Sequence, residues 1–318
     1  MTTTNQGNEG VREGIREGIR EIFRVVTAHK QREGGGFIVR RPFPSYGLTV
    51  VDPFLLIDEM GPVDYAPGEA VGAPDHPHRG FETVTYVLSG EMEHEDSAGH
   101  RGSLRPGDVQ WMTAGGGIIH SEEPSRAMRE KGGRMHGFQI WVNLPASLKM
   151  TRPRYQEIAA AQIPVAATPD GRAKVRVIAG EALGTRAVID THTPIVYQDW
   201  SIAEGGDVTL PVPRDHQTLV YVFEGSVKVG GADGGRLVND GQMALLGTGD
   251  AVRFRGVAGD GRLLLLAGVP LGEPVARYGP FVMNNEAEIV QAMQDYQSGR
   301  MGEITRTAEV ASPGAHGG

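Results

Sequence analysis

The chain has 318 residues, with 31 Lys and Arg against 39 Asp and Glu, for a formal net charge of −8. An acidic balance argues against direct nucleic-acid binding, which needs a basic face, and the length suggests two domains or one large one. Cysteine is absent, which excludes disulfides, thiolate nucleophiles, iron–sulfur clusters and thiolate-held zinc.

Any metal must therefore sit on nitrogen and oxygen. Glycine, at 46 residues, is about twice its usual share of ~7% and, without a collagen period, implies many tight turns. No apolar run approaches the ~18 residues of a membrane span. The opening MTTTNQGNEG lacks the apolar core of a secretory signal. The expected address is the cytoplasm, with no membrane partner.

Residues 1–22 read as a flexible N-terminal arm. It holds a short repeat, Arg12-Glu13-Gly14-Ile15, then Arg16-Glu17-Gly18-Ile19, then Arg20-Glu21-Ile22. The isoleucines recur at helical spacing, but each glycine weakens a helix by roughly 1 kcal/mol relative to alanine. The segment reads as a marginal helix or an ordered arm. From Phe23 onward, short β-rich runs bounded by Gly and Pro recur at about 8–12-residue spacing, the pattern of a sandwich or barrel. Among them TVTYVLSGEMEHED (residues 83–96) reads as a hairpin around Ser89-Gly90.

A second β-rich block runs from about Ala173 to Val282. Its segment TLVYVFEGSVKVGG (218–231) matches residues 83–96 at an offset of 135: Thr83 with Thr218, Tyr86 with Tyr221, Gly90 with Gly225. Downstream, Pro106-Gly107-Asp108 resembles Thr248-Gly249-Asp250. This is an internal duplication, with a first barrel over 23–150, a second over 151–283 and a linker near 145–164. A helix follows over 284–300. Asn285 and Glu288 have capping-box spacing, Ile289, Ala292, Met293 and Tyr296 recur helically, and Gly299 supplies the stop. Residues 301–318 read as a mobile tail. The expected fold class is all-β, two tandem barrels with a C-terminal helix.

The chemistry concentrates in DHPHRGFE (75–82) and TAGGGIIHSE (113–122). His76 and His78 are two apart and so share one face of a strand. His120 and Glu122 repeat the spacing. An isolated His-x-His is usually an ordinary surface pair. Here the second pair follows a Pro-Gly-Asp turn, and Gly115-Gly116-Gly117 permits close backbone approach. On facing strands of a small barrel, the two pairs would surround one point with three imidazoles and a carboxylate. That set suits Fe, Mn, Co, Ni, Cu or Zn and leaves positions open for substrate and oxygen.

His76-x-His78, Glu82, Gly107 and Gly117-x-x-His120 resemble the two cupin motifs, and the duplication resembles a bicupin. DPFLLIDEMGP, PDHPHRGFETVTYVLSGEMEHED, GDVQWMTAGGGIIHSE, FQIWVNLP, VIAGEALG and YGPFVMN together resemble the pirin family, from about Val50 to about Tyr296. The resemblance implies two cupin barrels. It also implies metal ligands at His76, His78, His120 and Glu122, and a metal that is usually Fe(II). Family members are described as quercetin 2,3-dioxygenases and as nuclear iron-binding cofactors of transcription factors. Bacterial members are linked to regulation of metabolic enzymes.

In many cupins the glutamate ligand follows the His-x-His pair, at Glu82 here; the pirin pattern uses Glu122 instead. Glu82 shares the parity of the two histidines, so it is expected to act indirectly, as hydrogen-bond partner of a ligand histidine or as a base near the substrate. The plain alternative is a rim salt bridge with Arg79. In the second barrel Pro211 and Pro213 stand where the His-x-His pair would be, His216 falls at the position of Phe81, and no histidine follows Thr248-Gly249-Asp250. That barrel is expected to be metal-free. His94 and His100 read as surface or turn residues and His136 as a packed core histidine. His29, His192 and His316 carry no supporting context, and Trp111, Met112 and Trp141 read as core.

The expected function is a dioxygenase. A flavonol would bind the metal through its 3-hydroxyl, Glu122 would take that proton, and the heterocyclic ring would open with O2 and lose carbon monoxide. The alternatives are an iron-binding regulator acting through a protein partner, a structural metal site and a cupin isomerase. A monomer acting on a small aromatic molecule is the expected form.

Overall fold

A computed structural model describes residues 18–231 and 234–306. The repeat over 12–17, the tail beyond Arg306 and His316 lie outside the described residues. The chain divides into two compact units. One takes His29–Gln162 and the described residues from Leu271 onward; the other takes the described residues up to Ala28 and Ile163–Pro270.

The first unit has a seven-stranded antiparallel sheet in the order Arg154–Ile158, Val109–Thr113, Phe81–Ser89, Gly133–Asn143, Phe54–Tyr65, Phe37–Phe43, His29–Glu33. Its second sheet is four-stranded, in the order Ala73–His78, Ile118–Pro124, Met92–Asp96, Arg101–Leu104. The other unit repeats both. Its seven-stranded sheet runs Ile22–Thr27, Gln242–Leu246, Gln217–Glu224, Gly261–Gly268, Ile195–Ile202, Ala173–Ala179, Val165–Ala167. Its four-stranded sheet runs Asp207–Pro211, Ala251–Gly256, Ser226–Val229, Arg236–Asn239. The central strands Phe81–Ser89 and Gln217–Glu224 occupy the same place in each, so the sequence repeat is a repeat of topology.

Three expectations need correction. Residues 83–96 do not form a hairpin: Phe81–Ser89 and Met92–Asp96 belong to different sheets. Gly90, at φ +87°, turns the corner between them, as Gly225 does at φ +66°; only glycine adopts this region without strain.

The barrel boundaries also differ. Ile22–Thr27 pairs with Gln242–Leu246 in the unit that holds 163–270. Residues 151–162 and 271–283 belong with the unit that holds the histidines. One outermost strand of each seven-stranded sheet, Arg154–Ile158 in the first and Ile22–Thr27 in the other, therefore lies outside its repeat in sequence. In each case it covers a sheet edge that would otherwise present unpaired backbone groups.

The described ends are held in place rather than loose. Ile19 bridges Ala251. Buried Arg20 donates to the carbonyls of His216 at 2.9 Å, Pro213 at 2.7 Å and Gly247 at 3.1 Å. Residues 18–22 are thus extended, neither a helix nor a free arm. At the other end Met301 and Ile304 are buried, and Arg306 donates to Asp75 at 2.5 Å.

The expected helix spans Glu286–Gln297, with the Asn285 side chain accepting from the Glu288 N–H at 3.0 Å. The Glu288 carboxylate accepts in turn from the Asn284 N–H at 2.8 Å. Ile289 and Ala292 face Phe281, Met283 and Met301. Among the described residues no helix is long and apolar enough to cross a membrane.

Candidate metal centre

Ala73–His78 pairs antiparallel with Ile118–Pro124, setting His76 opposite His120 and His78 opposite Ile118. The alternation of strand side chains sends His76 and His78 to one face, and the register brings His120 to the same point. The ring centroids lie 4.7 Å apart for His76–His78, 4.4 Å for His76–His120 and 4.9 Å for His78–His120. One donor atom from each falls within 4.8 Å of the others. Among the described residues this is the one such group of three or more.

The protonation chemistry suits a metal. His78 and His120 are 2% and 1% exposed. Burial first, then the charge of His76, holds the pKa of both well below the ordinary histidine value. Both are therefore neutral at pH 7, the form that ligates. Nδ1 of His78 and both ring nitrogens of His120 are buried without a hydrogen-bond partner. An unpaired buried polar group costs roughly 1–3 kcal/mol, a cost that coordination would remove for one nitrogen of each ring. Nδ1 of His76 lies 2.7 Å from the Pro74 carbonyl. Donation there leaves Nε2 free as a ligand atom. The three imidazoles fit a divalent first-row metal.

Glu122, the fourth expected ligand, is not among these donors within 4.8 Å of one another. A register shift between His120 and Glu122 interrupts the pairing with Ala73–His78. The carboxylate accepts from Thr85 Oγ1 at 2.7 Å, with Gln139 Nε2 at 3.5 Å from its other oxygen. With His76 and His78 it lines a cavity of about 520 Å³, in the size range of small-molecule sites. Leu56, Met60, Met135 and Trp141 supply apolar wall.

Glu82 is elsewhere. Gly80, at φ +90°, breaks the strand between His78 and Phe81, and its N–H donates to the Gly115 carbonyl at 2.8 Å. The residues on either side then enter different sheets, so parity counted across the break does not place Glu82 beside the histidines. Its carboxylate accepts from Thr113 at 2.6 Å, and burial raises its pKa. It does not line the cavity. Arg79 pairs not with Glu82 but with Asp295, at 2.8 Å.

Sequence reasoning missed other features. Trp141 is cavity wall rather than core, whereas Trp111 and Met112 are fully buried. His94 is buried against Glu157 at 2.7 Å rather than at a surface turn, because Met92–Asp96 runs inside a sheet. Half-buried His136 meets Glu59 at 2.9 Å. Arg277 comes to the cavity from beyond the second repeat. Nothing in local spacing could have found it.

In the other unit the corresponding interior is apolar. Leu210, Val212, Val252 and Phe254 pack in one cluster with Trp200, Leu263 and Leu265. His216 pairs with Asp215 at 2.9 Å.

The pirin family model matches residues 36–142, and the model of the pirin C-terminal cupin domain matches residues 197–302. Pirin of Homo sapiens is 43% identical over 279 residues, covering 87% of this chain and 92% of that protein. A pirin-like protein of Solanum lycopersicum is 42% identical over 282 residues, covering 88% and 92%. A crystal structure of quercetin 2,3-dioxygenase from Acinetobacter baumannii matches with a TM-score of 0.83 at 39% identity, covering 90% of this chain and 100% of that one. With both pirin family models matched along its length, two cupin-type units and a histidine cluster in one of them, this chain belongs to the pirin family.

Proposed function

We propose that this chain is a flavonol dioxygenase of the quercetin 2,3-dioxygenase type. Iron(II) would be held by His76, His78, His120 and Glu122, and the flavonol heterocycle would open with O2 and release of carbon monoxide. The supporting observation is the three-histidine cluster, with buried His78 and His120 carrying unpaired ring nitrogens and with His76 and His78 on the wall of a cavity of about 520 Å³. The likeness to the Acinetobacter enzyme points to the same substrate class.

When bound, the metal supplies a Lewis-acidic centre where a substrate oxygen and dioxygen can meet. Three neutral imidazoles and one carboxylate leave a divalent site with net positive charge, which favours an anionic oxygen in a water-poor cavity. Glu122, held by Thr85 and Gln139, would complete the ligand set and would take the proton of the flavonol 3-hydroxyl. The apolar wall formed by Leu56, Met60 and Trp141 holds the ring system and keeps water away.

The test is anaerobic reconstitution with iron(II), followed by quercetin bleaching under air for the parent, His76→Ala and Glu122→Ala. The parent should bleach the flavonol. Each variant should fall by more than the roughly 10–100-fold typical of losing a ligand's hydrogen-bond partner. A parent that binds iron tightly and leaves quercetin unchanged would instead mark an iron-binding regulator.

A further inference from the structure

The cavity beside the histidines has two guanidinium groups, and their situations differ. Arg41 Nε donates to Asp58 at 2.6 Å, and its second terminal nitrogen pairs with the same carboxylate. Its remaining nitrogen meets Glu33 at 2.8 Å. Its charge is answered twice over.

Arg277 is an exposed residue on the cavity lining. Among the described residues it makes no ion pair. Among the described residues its side chain makes one hydrogen bond, a long one of 3.5 Å to the Leu55 carbonyl. Asp58 and Glu33 face it at longer range, but both are engaged by Arg41. Its Cζ lies 4.6 Å from the centre of the Trp141 ring, and that ring packs edge-on against His78 at 5.3 Å. A cation on an indole face next to a ligand histidine is thus left with donors to spare at the cavity rim.

We propose that Arg277 recognises an oxyanion on the ligand held at the metal-facing wall, so that the cavity selects planar aromatic molecules in their deprotonated, enolate form. This rests on the dioxygenase reading and extends it to substrate choice. The guanidinium plane keeps its contact with Trp141 while its edge donates to the anion. Lysine would keep the charge and lose the planar fork. The interaction strengthens as the ligand excludes water, since both the cation–π contact and the ion pair gain in a low-dielectric site.

The test is binding to zinc-loaded protein, in which no turnover competes. The probes are 3-hydroxyflavone, whose neutral and anionic forms differ in absorbance, and 3-methoxyflavone, which cannot ionise. The parent should hold 3-hydroxyflavone as the anion below its solution pKa. Arg277→Met should weaken that binding roughly tenfold, the loss expected of one charge-assisted hydrogen bond. It should also raise the pKa of the bound hydroxyl by about one unit. Zinc stoichiometry and 3-methoxyflavone affinity should stay within about twofold of the parent, below the size of a charge-assisted contact. Arg277→Lys should recover part of the loss.

Equal weakening of both probes, or no shift in the hydroxyl pKa, would overturn the role of Arg277 and leave the dioxygenase reading standing. A zinc-loaded parent that binds neither flavone would overturn the flavonol reading and this inference with it.

Discussion

His120 is buried with both ring nitrogens unpaired, a state that disfavours the metal-free fold. His120→Phe should therefore leave metal-free stability equal or higher while abolishing stabilisation by metal. Thermal melts with and without cobalt(II) would show it; a metal-free variant markedly less stable than the parent would contradict it. Thr85 orients Glu122, and Thr85→Val should cost roughly 10–100-fold in metal affinity or turnover, measurable by competition with a chelator.

Lys149 gives a pH signature of stability. Its ammonium is buried and donates to the Gly80 carbonyl at 2.8 Å, Asn143 at 2.7 Å and the Val282 carbonyl at 3.1 Å. Burial lowers its pKa from 10.5 to about 8, outweighing Glu273 and Glu288. Between those values the unfolded chain binds more protons than the folded one, so stability rises as pH climbs through this window. Relative to Lys149→Met, the parent should gain in urea midpoint between about pH 7.5 and about pH 9.5; equal midpoint changes in the two would contradict this. At this scale the sequence showed the three histidines, because His-x-His on a strand fixes a common face. It could not show Glu82, His94, Trp141 or Arg277, whose surroundings depend on which sheet or cavity wall each reaches.

The element that sets the site is the Gly80 turn. A Cβ on Gly80 would collide with the Val282 carbonyl, and φ is +90°, so Gly80→Ala is disfavoured on both counts. Positive φ and overpacking each typically cost about 1–3 kcal/mol. The variant should lose stability on that scale and bind metal more weakly, read by denaturant midpoint and metal titration; a parent-like midpoint would contradict this. The neighbouring Arg79–Asp295 pair joins this turn to the helix Glu286–Gln297.

The helix was legible because capping and periodicity are local. The corner at Gly90 was not: a turn glycine between two β-rich runs looks alike whether the strands pair or part into two sheets. The exchanged edge strands were illegible for a related reason. Pairing partners such as Ile22–Thr27 and Gln242–Leu246 are far apart in sequence.

Across the whole molecule, one topology appears twice with different interiors. One unit gathers His76, His78 and His120. The other packs Trp200, Phe254 and Leu265. Metal should therefore protect only the first. On adding cobalt(II), hydrogen exchange should slow in Ala73–His78 and Ile118–Pro124 and stay unchanged in Asp207–Pro211 and Ala251–Gly256; equal slowing in both would contradict a single centre. The duplication itself was legible from aligned Thr, Tyr and Gly positions, because a repeated corner needs the same glycine in each copy.

The decisive measurement is carbon monoxide released per flavonol consumed by iron(II)-loaded protein under air, beside His120→Phe. Equimolar release by the parent and none by the variant is the expected result. A parent that binds both iron and quercetin yet releases no carbon monoxide would contradict a dioxygenase centre at these histidines.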